Sequence, residues 1–249
     1  MDIYGLIGYP LGHSFSKNYF SDKFVCEGIP AEYLNFEIPT IEELPDVIAR
    51  NPGLKGLNVT IPYKQKVIPY LDEISKEAQV IGAVNVIRVQ RKDNSVKLIG
   101  YNSDVIGFTN SISPLLKDHH KKALILGTGG AAKAIHYALT KKLGIEAICV
   151  SRYRRPGTVT YDAIDSNAVK EYEVIVNCTP LGMFPKTNEC PPLPYDAMND
   201  NNLLFDLIYN PDQTLFMQKG AAHGAVVKNG LEMLLLQAIA SWDFWNSSK

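Results

Sequence analysis

Apolar and polar positions follow two different patterns along this chain. Up to about residue 101, short apolar runs that are typical of strands alternate with stretches in which apolar residues recur at helical spacing. Asp93, Asn94 and Ser95 form a turn signal between two strand-like runs, which predicts a hairpin. The runs predict strands at 4–7, 33–38, 56–59 and 84–89, and the helical spacing predicts helices at 17–26 and 41–49.

From residue 121 onward the pattern is more regular. Continuous apolar strands separated by helices indicate a parallel sheet that is covered on both faces. A segment rich in Pro, Asn and Asp predicts a loop, and the last stretch is apolar around part of its circumference, which predicts a largely buried helix. The strands are expected at 123–126, 147–150, 174–176, 203–206 and 225–227, the helices at 131–140 and 231–245, and the loop at 185–202.

Composition narrows the class of protein. With 46% hydrophobic and 20% charged residues the chain is typical of a globular protein, and its net charge of −1 disfavours a general nucleic-acid or membrane-surface binder. No apolar run approaches the roughly 20 residues of a membrane span. The first residues lack the pattern of a signal peptide, so we expect a cytoplasmic protein.

Cysteine and histidine spacing predicts neither disulfides nor a metal. The four cysteines form no CxxC pair and the five histidines no HExxH motif. Three of the cysteines lie inside or beside apolar runs, so we expect buried free thiols in a reducing compartment.

A glycine motif lies at the predicted turn from strand 123–126 into helix 131–140. Such a turn lets the backbone approach a pyrophosphate, and the helix N-terminus offers amide donors and partial positive charge. The alternative is that the glycines serve only a loop; their placement between strand and helix favours a dinucleotide site. The residues that fit G-x-G-x-x-[G/A] are Gly127, Thr128, Gly129, Gly130, Ala131 and Ala132.

The residues after the next strand bear on the choice of cofactor. An NAD-binding unit usually carries an acidic residue here, but this chain continues Ser151, Arg152, Tyr153, Arg154, Arg155. The arginines would attract a 2′-phosphate, which favours NADP over NAD. The alternative is an ordinary solvated basic turn.

Two further residues have ionisable side chains, but the local sequence alone does not mark them as catalytic. Lys64 follows a strand end, and Asp104 follows Asn102 and Ser103. Taken alone, a single lysine is usually solvated and an aspartate in such a position is usually a helix cap, so their spacing does not pair them.

Ordered motifs along the whole chain resemble the shikimate dehydrogenase family. The glycine motif at Gly127 is one of them. The others are Ser14-Phe15-Ser16, Asn58-Val59-Thr60-Ile61-Pro62-Tyr63-Lys64, Gly82-Ala83-Val84-Asn85, Asn102-Ser103-Asp104 with Gly107, Asn177-Cys178-Thr179-Pro180-Leu181-Gly182-Met183, Asp206-Leu207-Ile208-Tyr209-Asn210-Pro211, and Asn229-Gly230-Leu231-Glu232-Met233-Leu234 with Gln237.

The resemblance implies an activity and a set of roles. The activity is NADP-dependent reduction of 3-dehydroshikimate to shikimate, with Lys64 and Asp104 as the catalytic pair. Hydride delivery leaves an alkoxide that needs a proton, and Lys64 is the implied donor. The implied substrate-binding residues are Ser14, Ser16, Asn58, Thr60, Asn85, Gln237 and Tyr209, although Tyr209 could equally be a core aromatic residue. The implied cofactor-binding residues are Gly127, Thr128, Gly129, Gly130, Ala131, Ser151, Arg152, Arg155, Thr179, Pro180, Gly182, Met183 and Gly230.

We therefore expect an α/β protein of two domains. The first, residues 1–103 completed by a C-terminal helix at 231–249, is an α/β substrate-binding domain. The second, residues 104–230, is a Rossmann-type, doubly wound parallel sheet that binds NADP. The expected partners are small molecules, and a monomer and a homodimer both stay open.

Departures from the family pattern keep alternatives open. Ser103 stands where the family usually has Thr, Thr128 replaces a usual Ala, and Tyr153 replaces the Thr of the adenosine phosphate site. A quinate/shikimate dehydrogenase is the nearest alternative, and a folate-linked methylene dehydrogenase is a more distant one. A non-catalytic NADP-binding regulator would be expected to lack Lys64 or Asp104, and both are present.

Overall fold

The chain divides into two compact units. The computed structural model describes residues 1–12, 15–93 and 95–247. Unit 1 consists of Met1–Ser103 with Gln237–Lys249, and unit 2 of Asp104–Leu236. The boundary between Leu236 and Gln237 lies inside the helix that the sequence predicts from residue 231. Across the described ranges, no helix combines the length and apolarity needed to cross a membrane.

Unit 1 contains a mixed sheet. The strand order is β2-β1-β3-β5-β6-β4, with β1 parallel to both β2 and β3, and β5 antiparallel to both β3 and β6. The hairpin of β5 and β6 is confirmed, while Asn94 of its turn lies outside the described residues. The strands are β1 (Asp2–Gly8), β2 (Ala31–Glu37), β3 (Leu54–Val59), β4 (Glu73–Ile74), β5 (Val86–Lys92) and β6 (Ser95–Tyr101).

The helices of unit 1 differ from the expectation in two places, the first being a helix at Lys76–Ile81 that the sequence analysis did not predict. Residues 41–49 do not form one helix: a 3₁₀ turn at Ile41–Glu43 precedes the α-helix. Pro45 lies in the first turn of that α-helix, where a residue without an N–H group is tolerated best. The helices are α1 (Phe15–Cys26), α2 (Leu44–Arg50) and α3 (Lys76–Ile81).

Aromatic residues fill one hydrophobic core of unit 1. Trp245 is 5% exposed, its ring centroid lies 5.1 Å from that of Phe20 and 4.9 Å from that of Tyr4, and its Nε1 donates to the Ile87 carbonyl at 3.1 Å. A Cβ atom at Gly56 would overlap the indole of Trp245, so the glycine makes room for it. The end of the chain thereby completes the core of the N-terminal sheet.

Unit 2 contains a parallel sheet of order β12-β11-β10-β7-β8-β9. Read from β9, this is the order 3-2-1-4-5-6 of a Rossmann fold, with its switch point between β7 and β10. The predicted doubly wound sheet is confirmed. Its strands are β7 (Lys122–Leu126), β8 (Glu146–Ser151), β9 (Thr158–Thr160), β10 (Val174–Asn177), β11 (Leu203–Asp206) and β12 (Val226–Lys228).

The last helix begins in unit 2 and ends in unit 1. The prediction that it is largely buried is wrong for one face: Leu231, Leu235 and Ile239, spaced four residues apart, are 45%, 39% and 43% exposed. The remaining helices are α4 (Asp104–Ile112), α5 (Gly130–Tyr137), α6 (Ser166–Glu171), α7 (Leu215–Ala222) and α8 (Leu231–Asn246).

The cysteines are free, as expected, but they are not buried. Cys26 is exposed, and Cys149, Cys178 and Cys190 are partly exposed. Cys26 is the last residue of α1, and the buried side chains of that helix are those of Phe20 and Phe24.

Candidate functional site

A network of amides and hydroxyls lies at one end of the unit 1 sheet. Asn58 Oδ1 accepts from the Tyr33 hydroxyl at 2.8 Å, and Asn58 Nδ2 donates to Ser241 Oγ at 2.8 Å. Asn85 Nδ2 donates to Ser103 Oγ at 3.1 Å, and Asn85 Oδ1 accepts from the Ser103 amide at 2.7 Å. The oxygens of Ser103 and Ser241 are 3.5 Å apart, which joins the two pairs. We call these five residues the amide network.

Sheet topology brings the network together from distant parts of the sequence. Asn58 is near the end of β3, Asn85 directly precedes β5, and Ser103 follows β6. Because β5 is antiparallel to both neighbours, its start lies beside the ends of β3 and β6. The Val59 amide donates to the Asn85 carbonyl at 2.8 Å. Two predicted substrate residues, Asn58 and Asn85, are therefore placed in one hydrogen-bonded group.

The Asn58 side chain retains hydrogen-bonding capacity. An asparagine amide can donate twice and accept twice, and the bonds to Tyr33 and Ser241 use one donor and one acceptor site. Asn58 is partly exposed, whereas Asn85, Ser103 and Ser241 are buried. An amide held in one orientation suits recognition of hydroxyl groups, which also both donate and accept.

Ser16 reaches the same network through Tyr33. Burial raises the pKa of the Tyr33 hydroxyl, with a hydrogen bond from Ser16 acting in the opposite direction. The phenol is therefore neutral at physiological pH and stays a donor to Asn58. Ser14, the other predicted carboxylate-binding serine, lies outside the described residues.

The backbone of Lys64 is attached beside the network. The Val84 amide donates to the Lys64 carbonyl at 2.7 Å, one residue before Asn85. The amide of Thr60, which precedes this turn, donates to the Ile7 carbonyl at 2.9 Å. Gln237 is partly exposed on α8, and its carbonyl accepts from Ser241 Oγ at 2.8 Å. Thr60, Lys64 and Gln237 are thus held by segments that also hold the amide network.

The glycine turn of unit 2 follows β7 at the switch point of the sheet. Gly127 has φ +119°, which favours glycine, and its amide donates to the Val150 carbonyl at 2.9 Å. Gly129 is the N-cap of α5, and a Cβ atom there would meet nothing within 4 Å. The start of α5, where Gly130 and Ala131 lie, thus has open space beside its free amides.

An arginine contacts this turn from the loop after β8. Arg155 Nη1 donates to Thr128 Oγ1 at 3.4 Å. Arg152 is exposed, and its guanidinium carbon lies 5.9 Å from the Tyr153 ring centroid. Ser151, at the end of β8, is 6% exposed. Positive charge therefore lies next to the glycine turn at the place where an NAD-binding unit has a carboxylate.

The loop after β10 lies against the same turn. The Cys178 amide donates to the Leu126 carbonyl at 2.9 Å, and a Cβ atom at Gly127 would be 3.3 Å from the Cys178 carbonyl oxygen. The predicted cofactor residues Thr179, Pro180, Gly182 and Met183 all belong to this loop, and Met183 is 47% exposed. Tyr209 and Gly230 also belong to unit 2: the Gly230 amide donates to the Ile208 carbonyl at 3.0 Å, next to Tyr209, whose pKa is raised by burial.

These features of unit 2 fit a dinucleotide phosphate. Open space at Gly129, free helix amides and nearby guanidinium groups offer donors and positive charge to a pyrophosphate and a 2′-phosphate. Among the residues that the structure describes, His, Cys, Asp and Glu side chains form no group of three or more that could hold a metal ion.

Sequence reasoning missed several residues that the structure places beside the predicted ones. Tyr33 and Ser241 complete the amide network, and Asn177, Asp206 and Thr214 form a buried polar group next to Thr179. The sequence did contain a signal for Asp206, because this residue ends an apolar strand. A carboxylate at such a position is rarely buried without hydrogen-bond or charge partners. For Ser241 the sequence offers no such signal, because a serine in an apolar helix is common.

Known proteins resemble this chain over both units. A sequence profile for the shikimate dehydrogenase substrate binding domain matches residues 6–87. The shikimate dehydrogenase (NADP(+)) of Carboxydothermus hydrogenoformans is 37% identical, over 97% of this chain and 90% of its own.

Two solved structures extend the comparison to bound ligands. Shikimate 5-dehydrogenase from Thermus thermophilus, in complex with NADP(H) and shikimate, has a TM-score of 0.85 at 28% identity and covers 99% of this chain and 94% of its own. The enzyme from Listeria monocytogenes, in complex with shikimate and NAD, has a TM-score of 0.80 at 27% identity and covers 98% and 91%.

Proposed function

The chain belongs to the shikimate dehydrogenase family, and from that premise we propose that unit 1 binds the substrate and unit 2 binds the cofactor. The reaction is the reversible, NADP-dependent reduction of 3-dehydroshikimate to shikimate, a step of aromatic biosynthesis. The observation that carries the proposal is that one chain holds both halves of such a site: an amide network in unit 1 and a glycine turn at the switch point of unit 2.

Hydroxyl and amide groups of unit 1 match a polyhydroxylated carboxylic acid. Ser14 and Ser16 are proposed to bind the carboxylate, and Asn58, Asn85 and Gln237, with Thr60, the ring hydroxyls. Neutral donors and acceptors distinguish a hydroxyl from a methylene because an unmatched buried polar group is costly. Tyr209 is proposed to contribute from unit 2.

Lys64 and Asp104 carry the proton chemistry in this proposal. When bound, the nicotinamide supplies the hydride. The ammonium group of Lys64 donates a proton to the substrate oxygen in reduction, and in oxidation the neutral amine of Lys64 accepts the proton of the substrate hydroxyl. Asp104, the first residue of α4 and 1% exposed, orients Lys64 and a substrate hydroxyl. A carboxylate as buried as this one requires partners that donate to it.

Cofactor binding rests on the glycine turn and the loops around it. Gly127, Thr128, Gly129, Gly130 and Ala131 are proposed to hold the pyrophosphate, and Ser151, Arg152 and Arg155 the 2′-phosphate. Thr179, Pro180, Gly182, Met183 and Gly230 are proposed to contact the nicotinamide half. These assignments use the open backbone at Gly129 and the contact of Arg155 with Thr128 as their support.

Initial rates test the function. Shikimate and quinate are each supplied with NADP and with NAD, and nicotinamide absorbance is followed. We expect fast turnover only with shikimate and NADP. Comparable rates with quinate or NAD would contradict the proposed specificity, and no rate in any combination would contradict the proposed catalysis.

Arg152 is expected to set the preference for NADP. Replacing it by alanine removes a charged partner of the 2′-phosphate, and hydrogen bonds to charged groups contribute about 1.5–3 kcal/mol, so the KM for NADP should rise roughly 10-fold or more. The KM for NAD should change little, because NAD lacks that phosphate. Arg154→Ala is the matched control, since Arg154 is exposed and lies near Asp162. An equal rise for both cofactors would argue against phosphate recognition.

Ser241 is expected to act on substrate binding through Asn58. The Ser241→Ala variant removes the acceptor that fixes the orientation of the partly exposed Asn58 amide, and a typical hydrogen bond contributes about 0.5–1.5 kcal/mol. We expect the KM for shikimate to rise roughly 5- to 10-fold while the dissociation constant for NADP is unchanged. The control is Ser95→Ala, which removes an exposed hydroxyl of unit 1. A normal KM for shikimate in the Ser241 variant would show that the orientation of Asn58 does not depend on it.

A further inference from the structure

A buried carboxylate lies behind the loop assigned to the cofactor. Asp206, the last residue of β11, has no exposed surface. Its Oδ1 accepts from Asn177 Nδ2 at 3.1 Å and from the Ile208 amide at 3.0 Å, and its Oδ2 accepts from Thr214 Oγ1 at 2.6 Å. Unfavourable desolvation of a carboxylate is offset only where such donors converge on it. None of the roles assigned above uses this residue.

Asn177 transmits the position of this carboxylate to the loop after β10. Asn177 Oδ1 accepts from the Thr179 amide at 3.0 Å and from Thr179 Oγ1 at 2.7 Å, while its Nδ2 also donates to the Leu181 carbonyl at 3.4 Å. An ionised carboxylate can only accept. Asp206 therefore determines which end of the Asn177 amide faces it, and so which end faces Thr179.

Thr214 connects the same carboxylate to the far end of the loop. A Cβ atom at Gly182 would be 3.4 Å from Thr214 Cβ, so the two residues are packed together. The Phe184 amide donates to the Asn210 carbonyl at 3.2 Å, which joins the loops after β10 and β11 a second time. Asp206 thus holds Thr179 through Asn177, and Gly182 through Thr214.

We propose that Asp206 is a positioning residue of the NADP site, which through Asn177 and Thr214 fixes the Thr179–Met183 loop in the conformation that binds cofactor. The proposal rests on the cofactor role given above to that loop. Asp206 acts in its ionised form, because a protonated carboxyl would present a donor where Asn177, Ile208 and Thr214 already donate.

The charge state of Asp206 changes in an accessible pH range. Burial raises its pKa to about 6, against the hydrogen bonds from Thr214, Ile208 and Asn177. Tyr195 is a titratable group that faces it, and Cys190 lies beside Tyr195. Since the folded-state pKa lies above the ordinary value, ionised Asp206 lowers the free energy of unfolding; this loss develops as pH rises from about 4 to about 6 and is complete above that range. Asp206 therefore favours a loop conformation at the expense of stability.

The Asp206→Asn variant separates these two effects. We expect the dissociation constant for NADPH, measured by cofactor fluorescence at pH 8, to rise about 10-fold, the effect of losing a hydrogen bond to a charged group. The difference from wild type should shrink below pH 6, where the wild-type carboxyl is itself protonated. The 2′-phosphate also titrates near pH 6, but it does so equally in both proteins and cancels in their ratio. The melting temperature at pH 8 should be equal to or above that of wild type.

Controls and a second variant keep the test decisive. Asp196→Asn removes an exposed carboxylate between β10 and β11 and should leave NADPH binding unchanged at every pH. Thr214→Val removes one donor to Asp206 without changing its size much, and should weaken binding about 3-fold, while turnover at saturating NADP is largely retained. NADPH binding by Asp206→Asn that equals wild type at pH 8 would overturn the proposal. Failure of wild type itself to bind NADPH would overturn both this proposal and the assigned cofactor.

Discussion

Replacing Lys64 by alanine is expected to lower kcat for shikimate oxidation by about 10²–10⁴-fold, the usual contribution of a positioned proton donor or acceptor. NADP binding should be unchanged, because Lys64 belongs to unit 1 and the proposed cofactor residues belong to unit 2. Stopped-flow or steady-state rates give the loss of turnover, and cofactor fluorescence gives the dissociation constant.

Two further variants distinguish proton transfer from charge alone. Lys64→Arg keeps the positive charge but cannot release a proton at physiological pH, so it should be nearly as slow as the alanine variant. Lys66→Ala removes an exposed lysine two residues away and should keep the wild-type rate. A Lys64→Ala enzyme that works at a near-normal rate would eliminate this residue as the proton donor.

Truncating Trp245 is expected to destabilise unit 1 by about 3–5 kcal/mol, the range for removing a large buried aromatic side chain. Trp245 is 5% exposed, packs against Tyr4, Phe20 and Tyr33, and donates to the Ile87 carbonyl. The space that Gly56 leaves for the indole would become a cavity. Urea unfolding monitored by far-UV circular dichroism measures the loss.

The other tryptophan supplies a matched control. Trp242 lies on the same helix but is partly exposed. The Trp242→Ala variant should therefore lower the free energy of unfolding by less than truncation of Trp245 does. Because the chain has two tryptophans, each variant retains one as a fluorescent reporter on α8. Equal losses for the two variants would contradict the importance assigned to the burial of Trp245.

The regular part of the fold could be predicted because its signals are local. The strands of unit 2 are continuous apolar runs, and β10 and β11 lie within one residue of their predicted limits. The strands β4 and β9 were missed because β4 has only two residues and because β9, Thr158–Thr160, is not a continuous apolar run. The helix α4 was missed as well, since the sequence analysis used Asp104 and Gly107 only as parts of a motif.

The residues of the candidate site also differ in whether a local sequence signal predicts them. The turn at Gly127 and Gly129 could be predicted from a motif that is local in the sequence, and its conformation follows from the strand and helix that flank it, while its cofactor role stays a prediction. The bond between Asn58 and Ser241 joins positions 183 residues apart, and no local pattern contains it. For Asp206 the motif could be identified in the sequence, but its hydrogen bonds could not be predicted, because its partners Asn177 and Thr214 come from other segments.

The division of unit 1 between two separated parts of the chain has a consequence for synthesis on the ribosome. All of unit 2 is translated between Ser103 and Gln237, which takes roughly 7–27 s at the usual rate of about 5–20 residues per second. During that interval the face of the nascent sheet that Trp245 covers stays uncovered, while the parallel sheet of unit 2 can already form. Tyr4, Phe20 and Tyr33 then present apolar surface of the kind that chaperones bind. The helix around Trp245, which is translated after unit 2, therefore governs when Tyr4, Phe20 and Tyr33 become protected from aggregation.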